Sequence, residues 1–252
     1  MSSVTQRIKE IKQPRGGYIN PKDFSVVHID DENMLNPVEN IHPTIIGCAV
    51  DYLTRFVLTN DLFSSFKVSI LGAAMAGETT IAQQLLSRIT GIDDKSIMSV
   101  CQLVQYDQVA RAGILFKMDF SRNIPNKETI ENIRIMVNRS IKFFEKYGPI
   151  TKEGFTFEGA YTDKIDSGDG DFLTKDTLWD FKVSKDNIKS SHTLQLLIYY
   201  IMGLYSIHDE FEEIDKIGIF NPRLNNVYTL NVDTIPRETI NNVKKVVIGI
   251  DY

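Results

Sequence analysis

Cysteine is nearly absent from this chain of 252 residues, with Cys48 and Cys101 the whole supply. Two thiols cannot build a disulfide framework or a four-cysteine metal cluster, and both sit in apolar, helix-patterned stretches, so the expected compartment is the reducing cytoplasm. Histidine is scarce too: His28, His42, His192 and His208 are too scattered to suggest a zinc set. No apolar run reaches the length of a membrane span, and the opening MSSVTQRIKEIKQPRGG lacks the apolar core of a secretory leader. No membrane partner is expected. Positive charge is also short. Lys and Arg number 28 against 33 Asp and Glu, a formal net charge of -5, which argues against a protein that coats nucleic acid non-specifically. Any such contact has to come from a local patch.

What is present is an ordinary globular composition, 42% hydrophobic, in a chain long enough for one large domain. Residues 1–40 are polar and carry Pro14, Gly16, Gly17, Pro21 and Pro37, the marks of an arm or irregular lead-in. Residues 41–252 read as a single domain, mainly helical over 41–150 and a sheet core over 151–252. Pro43 opens a helix to about Asn60, with Ile46, Val50, Leu53 and Val57 on one side. Asp51 and Arg55 lie four apart on it, the spacing of an ordinary ion pair. The stretch LGAAMAGET over 71–79 has the glycine spacing of a phosphate loop, but Glu78 stands where that loop needs lysine, which rejects a nucleoside triphosphatase. It is read instead as a helical insertion continuing to Ile89, followed by a helix near Val100 to Phe116. Lys127 to Tyr147 is a long amphipathic helix stopped by Gly148-Pro149. Beyond it, Phe155–Ile165, Gly170–Leu173, Thr177–Val183, Lys216–Phe220 and Val227–Val232 read as strands, with helices near His192–Ser206 and Pro236–Val247.

The chemistry concentrates in GDGDFLTKDTLWDFKVSK. A turn centred on Lys175 and Asp176 sets Asp171 opposite Asp180, and the alternation of side chains along a strand puts Asp180 and Lys182 on the same face, away from Trp179, Phe181 and Val183. Carboxylates roughly 5 Å apart at Cβ repel unless a cation sits between them, and a hard divalent ion is the natural occupant. Lys182 is then placed to steady a nucleophilic water or the charge that builds in a transition state. D-x-K alone is equally the mark of a solvated ion pair. Lys164, Lys182, Lys185 and Lys189 crowd this region as a candidate basic patch. Asp163, Asp166 and Asp169 precede it, without the twelfth-position acid of a calcium loop. Asp163 and Asp166 are expected to be solvated turn residues, and Asp169 or Glu158 an outer-shell acid.

The order Asp171 after a glycine, Asp180-Phe181-Lys182 on a strand, then Gln195 and Tyr199 four apart on a helix (GDGD, DFK, QLLIY) resembles the PD-(D/E)XK nuclease superfamily, in particular its RecB-like branch. The likeness covers about Thr156 to Ser206 and extends to the Ile45–Phe56 helix, where Gly47-Cys48-Ala49-Val50-Asp51 stands in for a G-x-x-x-H pattern, with aspartate at the ligand position. The resemblance implies an α/β (α+β) fold: a restriction-endonuclease-like core with a central mixed sheet flanked by helices, plus an N-terminal helical insertion. It implies a Mg²⁺- or Mn²⁺-dependent nuclease acting on DNA, or else on RNA, from ends or internally. Asp171, Asp180, the Phe181 carbonyl and Asp51 would hold the metal, Lys182 would orient the attacking water, and Gln195 and Tyr199 would contact the phosphodiester. Two alternatives stand beside it: a nucleic-acid-binding or assembly subunit that keeps the fold and cuts poorly, and a metal-dependent enzyme on another phosphodiester. A protein partner or a homo-oligomer fits either class.

Overall fold

The computed structural model describes residues 2–113 and 123–251. They form two compact units: a sheet unit of Met1–Ile29 with Phe144–Tyr252, and a helical unit of Asp30–Phe143.

In the helical unit, α2 (Pro43–Thr59) begins where expected. Pro43 supplies the preset φ of a first turn, His42 Nδ1 accepts the Thr44 amide, and Asn60 ends the helix in the left-handed region. Ile46, Val50 and Leu53 make its fully buried stripe. The short helices α3 (Leu62–Ser65), α4 (Lys67–Met75), α5 (Thr79–Leu86), α6 (Asp94–Leu103) and α7 (Asp107–Ala112) follow. The helical insertion expected over 71–89 is thus the end of α4 and the whole of α5, parted by a turn at 76–78. Of the helix expected near 100–116, the part beyond 113 lies outside the described residues. In α8 (Lys127–Tyr147), which begins in this unit and ends in the sheet unit, the Asn126 side chain caps the Thr129 amide, and Ile133 and Val137 are fully buried.

The sheet unit is built on one mixed sheet of six strands: β1 (Ser25–His28), β2 (Lys152–Phe155), β3 (Gly170–Leu173), β4 (Thr177–Phe181), β5 (Lys216–Asn221) and β6 (Asn226–Asn231), in the order β1-β6-β5-β4-β3-β2. All neighbours are antiparallel except β4 and β5, which run parallel. Parallel neighbours need a crossover, supplied here by α9 (Ser190–Leu204). Leu173, Leu178, Ile217 and Ile219 pack with Leu194, Leu197 and Ile198 of α9 in the core. Phe172 and Trp179 face the other way, edge-on to Phe144 (4.9 Å) and Tyr147 (5.6 Å) at the end of α8. A closing helix, α10 (Arg237–Asn242), runs into a turn of π-helix over Val243–Ile248.

Two expectations change. The strand expected over Phe155–Ile165 is only Lys152–Phe155. Gly159 turns the chain with φ +94° and the Ala160 amide bonds back to the Phe157 carbonyl, so the aromatics that follow fill the core from a loop. Nor are residues 1–40 merely a lead-in. Ser3 and Gln6 form a reciprocal cap that starts α1 (Val4–Glu10), and β1 pairs with β6 along the sheet edge. Arg7 donates to the Val246 and Val247 carbonyls at 3.1 and 3.0 Å, tying α1 to the end of the π-helix.

Candidate functional site

The β3–β4 hairpin sets the geometry. Its register pairs Phe172 with Trp179 and Leu173 with Leu178, the register that a turn centred on Lys175 and Asp176 predicts, and the pairs end one step short of Asp171 and Asp180. Thr174 secures that turn twice: its amide donates to the Thr177 carbonyl, and its hydroxyl accepts from Trp179 Nε1 at 3.0 Å. The paired register stops at Phe172 and Trp179. Past it, the Phe181 amide donates to Asp171 Oδ2 at 2.8 Å, so a carboxylate takes the place of a backbone acceptor. On the other side of Asp171, the adjoining position in the β2–β3 register belongs to Gly154, where φ is +54° and the pairing skips a residue.

Asp180 is only 2% exposed. Lys182 Nζ donates to its Oδ1 at 3.0 Å and lies 2.8 Å from Oδ2, where the contact is that of charges and not of a hydrogen bond. Oδ2 is buried and accepts no hydrogen bond among the described residues. Lys182, itself a quarter exposed, is thus the partner that both Asp180 oxygens share.

Helix α9 brings Gln195 and Tyr199 over the same end of the sheet. Both are at least nine-tenths buried, and Gln195 Nε2 donates to the Tyr199 hydroxyl at 2.9 Å. Burial first, and then the carboxylates Asp180, Asp171 and Asp169, push the Tyr199 phenol above its usual range, while the bond from Gln195 opposes them. Tyr199 is therefore a neutral hydroxyl within electrostatic reach of the acids. The sheet unit thus brings together Asp171, Asp180, Lys182, Gln195 and Tyr199. The Phe181 ring turns away toward Phe172 and Phe220.

Asp51 belongs to the helical unit, where Arg55 grips it through Nε (2.8 Å) and a second nitrogen (3.3 Å), the ion pair that the spacing suggests. Lys164, expected in the basic patch, is engaged by the Lys245 and Val246 carbonyls at the end of the π-helix. Lys189 is exposed and paired with Asp186 (2.7 Å), and Lys185 is exposed. Asp163, Asp166, Asp169 and Glu158 are all exposed, and Glu158 accepts from the Thr156 hydroxyl. Glu78, expected at the surface, accepts a 2.5 Å bond from Tyr106.

One residue that sequence reasoning left out belongs with the group. His192, half-buried in the first turn of α9, has its imidazole held below the usual range by burial and by Lys182, against a weaker opposing pull from Asp180. The signal was present: it stands three residues before Gln195 and seven before Tyr199, on one helical stripe.

No group of three or more His, Cys, Asp or Glu side chains suited to a metal occurs among the described residues. No helix among them is long and apolar enough to cross a membrane. No family model, curated protein or solved structure matches the chain.

Proposed function

We propose that the sheet unit is a Mg²⁺-dependent nuclease that hydrolyses phosphodiester bonds of nucleic acid, DNA in the first instance. The observation that carries the reading is the unsatisfied, buried Oδ2 of Asp180 beside Lys182, with Asp171 one strand away. Two hard oxygen donors, one without a hydrogen bond, suit a hard divalent cation better than they suit an empty fold. The element order is compatible with that reading: three antiparallel strands β2-β3-β4, a crossover helix α9 and a parallel β5 follow one another in a mixed sheet.

Asp171 and Asp180 would hold the ion, with the Phe181 carbonyl beside them, and the ion would lower the pKa of water and offset charge on the phosphate. The chain's own groups do the rest. The Phe181 amide holds the Asp171 carboxylate in one orientation. The Lys182 ammonium orients the attacking water and stabilises the negative charge that builds at phosphorus. Gln195 and the neutral Tyr199 hydroxyl offer donors to non-bridging phosphate oxygens.

The test is incubation with linear and circular, single- and double-stranded DNA and with RNA, in Mg²⁺, Mn²⁺ or EDTA, beside Asp180→Ala and Lys182→Ala. Cleavage that needs metal and is lost in both variants is expected. A folded wild type that cuts none of these substrates would overturn the reading in favour of a binding subunit.

A further inference from the structure

We infer that His192 is a substrate-positioning residue, its Nε2–H donating to a phosphodiester oxygen of nucleic acid held at the Asp171, Asp180 and Lys182 group. The inference rests on the nuclease reading above.

Three observations carry it. The first is placement. His192, Gln195 and Tyr199 share one stripe of α9, and His192 is the member nearest the helix start, within electrostatic reach of both Lys182 and Asp180. The second is the tautomer. The Lys189 amide donates to Nδ1 at 3.3 Å, so Nδ1 is the acceptor nitrogen and the proton sits on Nε2. The third is the unused donor: that bond is the one the His192 ring makes among the described residues, and Nε2–H has no acceptor there. A half-buried ring with one nitrogen fixed presents the other in a set direction. A phosphate oxygen beside an acid pair and a lysine is the acceptor that this arrangement lacks.

The plain competing account is that His192 only caps α9, its ring accepting the Lys189 amide in the third helical position. Substitutions separate the two. Glutamine keeps both the cap acceptor and a donor, glutamate keeps the cap and removes the donor, and alanine removes both. The full chain is titrated with a labelled single-stranded DNA oligonucleotide, with Ca²⁺ in place of Mg²⁺ to suppress cutting, and melting temperature is recorded for each variant.

We expect His192→Gln to bind within about twofold of wild type, and His192→Ala to bind about five- to tenfold more weakly, the loss of one hydrogen bond. His192→Glu should melt like wild type yet bind at least as weakly as His192→Ala. In Mg²⁺ the alanine variant should show the same factor in KM. Affinities equal to wild type in all three, or affinities that track melting temperature, would overturn the assignment. Wild-type cleavage lost in Asp180→Ala alongside unaltered binding by His192→Ala would remove His192 and leave the nuclease. A wild type that neither binds nor cuts would remove both.

Discussion

The Phe181 amide and the Asp171 carboxylate meet at 2.8 Å where the β3–β4 ladder ends, so one side chain both fastens the end of β4 and carries a charge one step beyond the last strand pair. The two duties separate by mutation. Asp171→Asn keeps an oxygen for the amide and should fold within about 1 kcal/mol of wild type, whereas Asp171→Ala strands a part-buried N–H and should cost about 1–3 kcal/mol in denaturant unfolding. Both should lose metal-dependent cleavage. Full activity in Asp171→Asn would remove its charge from the mechanism.

Asp180→Asn should trade activity for stability. It removes a buried charge with an unsatisfied oxygen, and the lysine it leaves behind is 25% exposed and able to hydrate. We expect a melting temperature at or above wild type with cleavage down at least about a hundredfold. A marked loss of stability would instead make the Asp180–Lys182 pair a structural bridge.

In the helical unit, Arg139 holds Asp31 through Nε (2.6 Å) and a second nitrogen (2.9 Å), with both side chains under a tenth exposed. The bond from Arg139 keeps the Asp31 carboxyl below its usual range despite burial. The folded form therefore binds this proton less readily than the unfolded chain. The pair's stabilisation is complete above the ordinary carboxylate range and is lost as pH falls through the depressed value. Arg139→Ala should cost about 3–5 kcal/mol at pH 7 and flatten the acid limb of the stability curve. An unchanged acid limb would contradict this linkage.

Asp107 runs the opposite way. Tyr52 and Ser69 each donate to it at 2.5 Å, yet burial outweighs these bonds and raises its pKa. The folded state holds this proton more tightly than the unfolded one, so the group favours folding at low pH and loses that contribution as pH rises. Asp107→Asn should be more stable than wild type at pH 8, with the gain shrinking as pH falls toward the carboxylate range, as read by urea unfolding. A loss at every pH would show that the charged form is needed.

Turn chemistry and alternation made the hairpin register readable in advance, because a loop of two or four residues centred on Lys175 and Asp176 gives the same pairing. Helix α8 was readable to the residue from its apolar spacing. The failures have physical causes. FTFEGAYT has strand-forming aromatics, but Gly159 at positive φ breaks the extended run. SVVH in β1 is exposed at every position, so it carries no alternation to detect, and its partner β6 lies about 200 residues away. His192 shares the helical stripe of Gln195 and Tyr199, but that spacing alone does not distinguish a site residue from a capping one. Its part emerges only from the ring's one fixed nitrogen and from the neighbours that α9 sets beside it.

The pairing of β1 with β6 has a consequence for the order in which the chain is made. Residues 25–28 leave the ribosome early and wait for residues 226–231, while the whole of Asp30–Phe143 is synthesised in between. The helical unit is contiguous and can complete itself first, and the sheet unit cannot close its edge until β6, the last of the six strands, is available. Nascent chains halted before Asn226 should therefore protect the helical unit from protease while leaving the β1 segment cleavable.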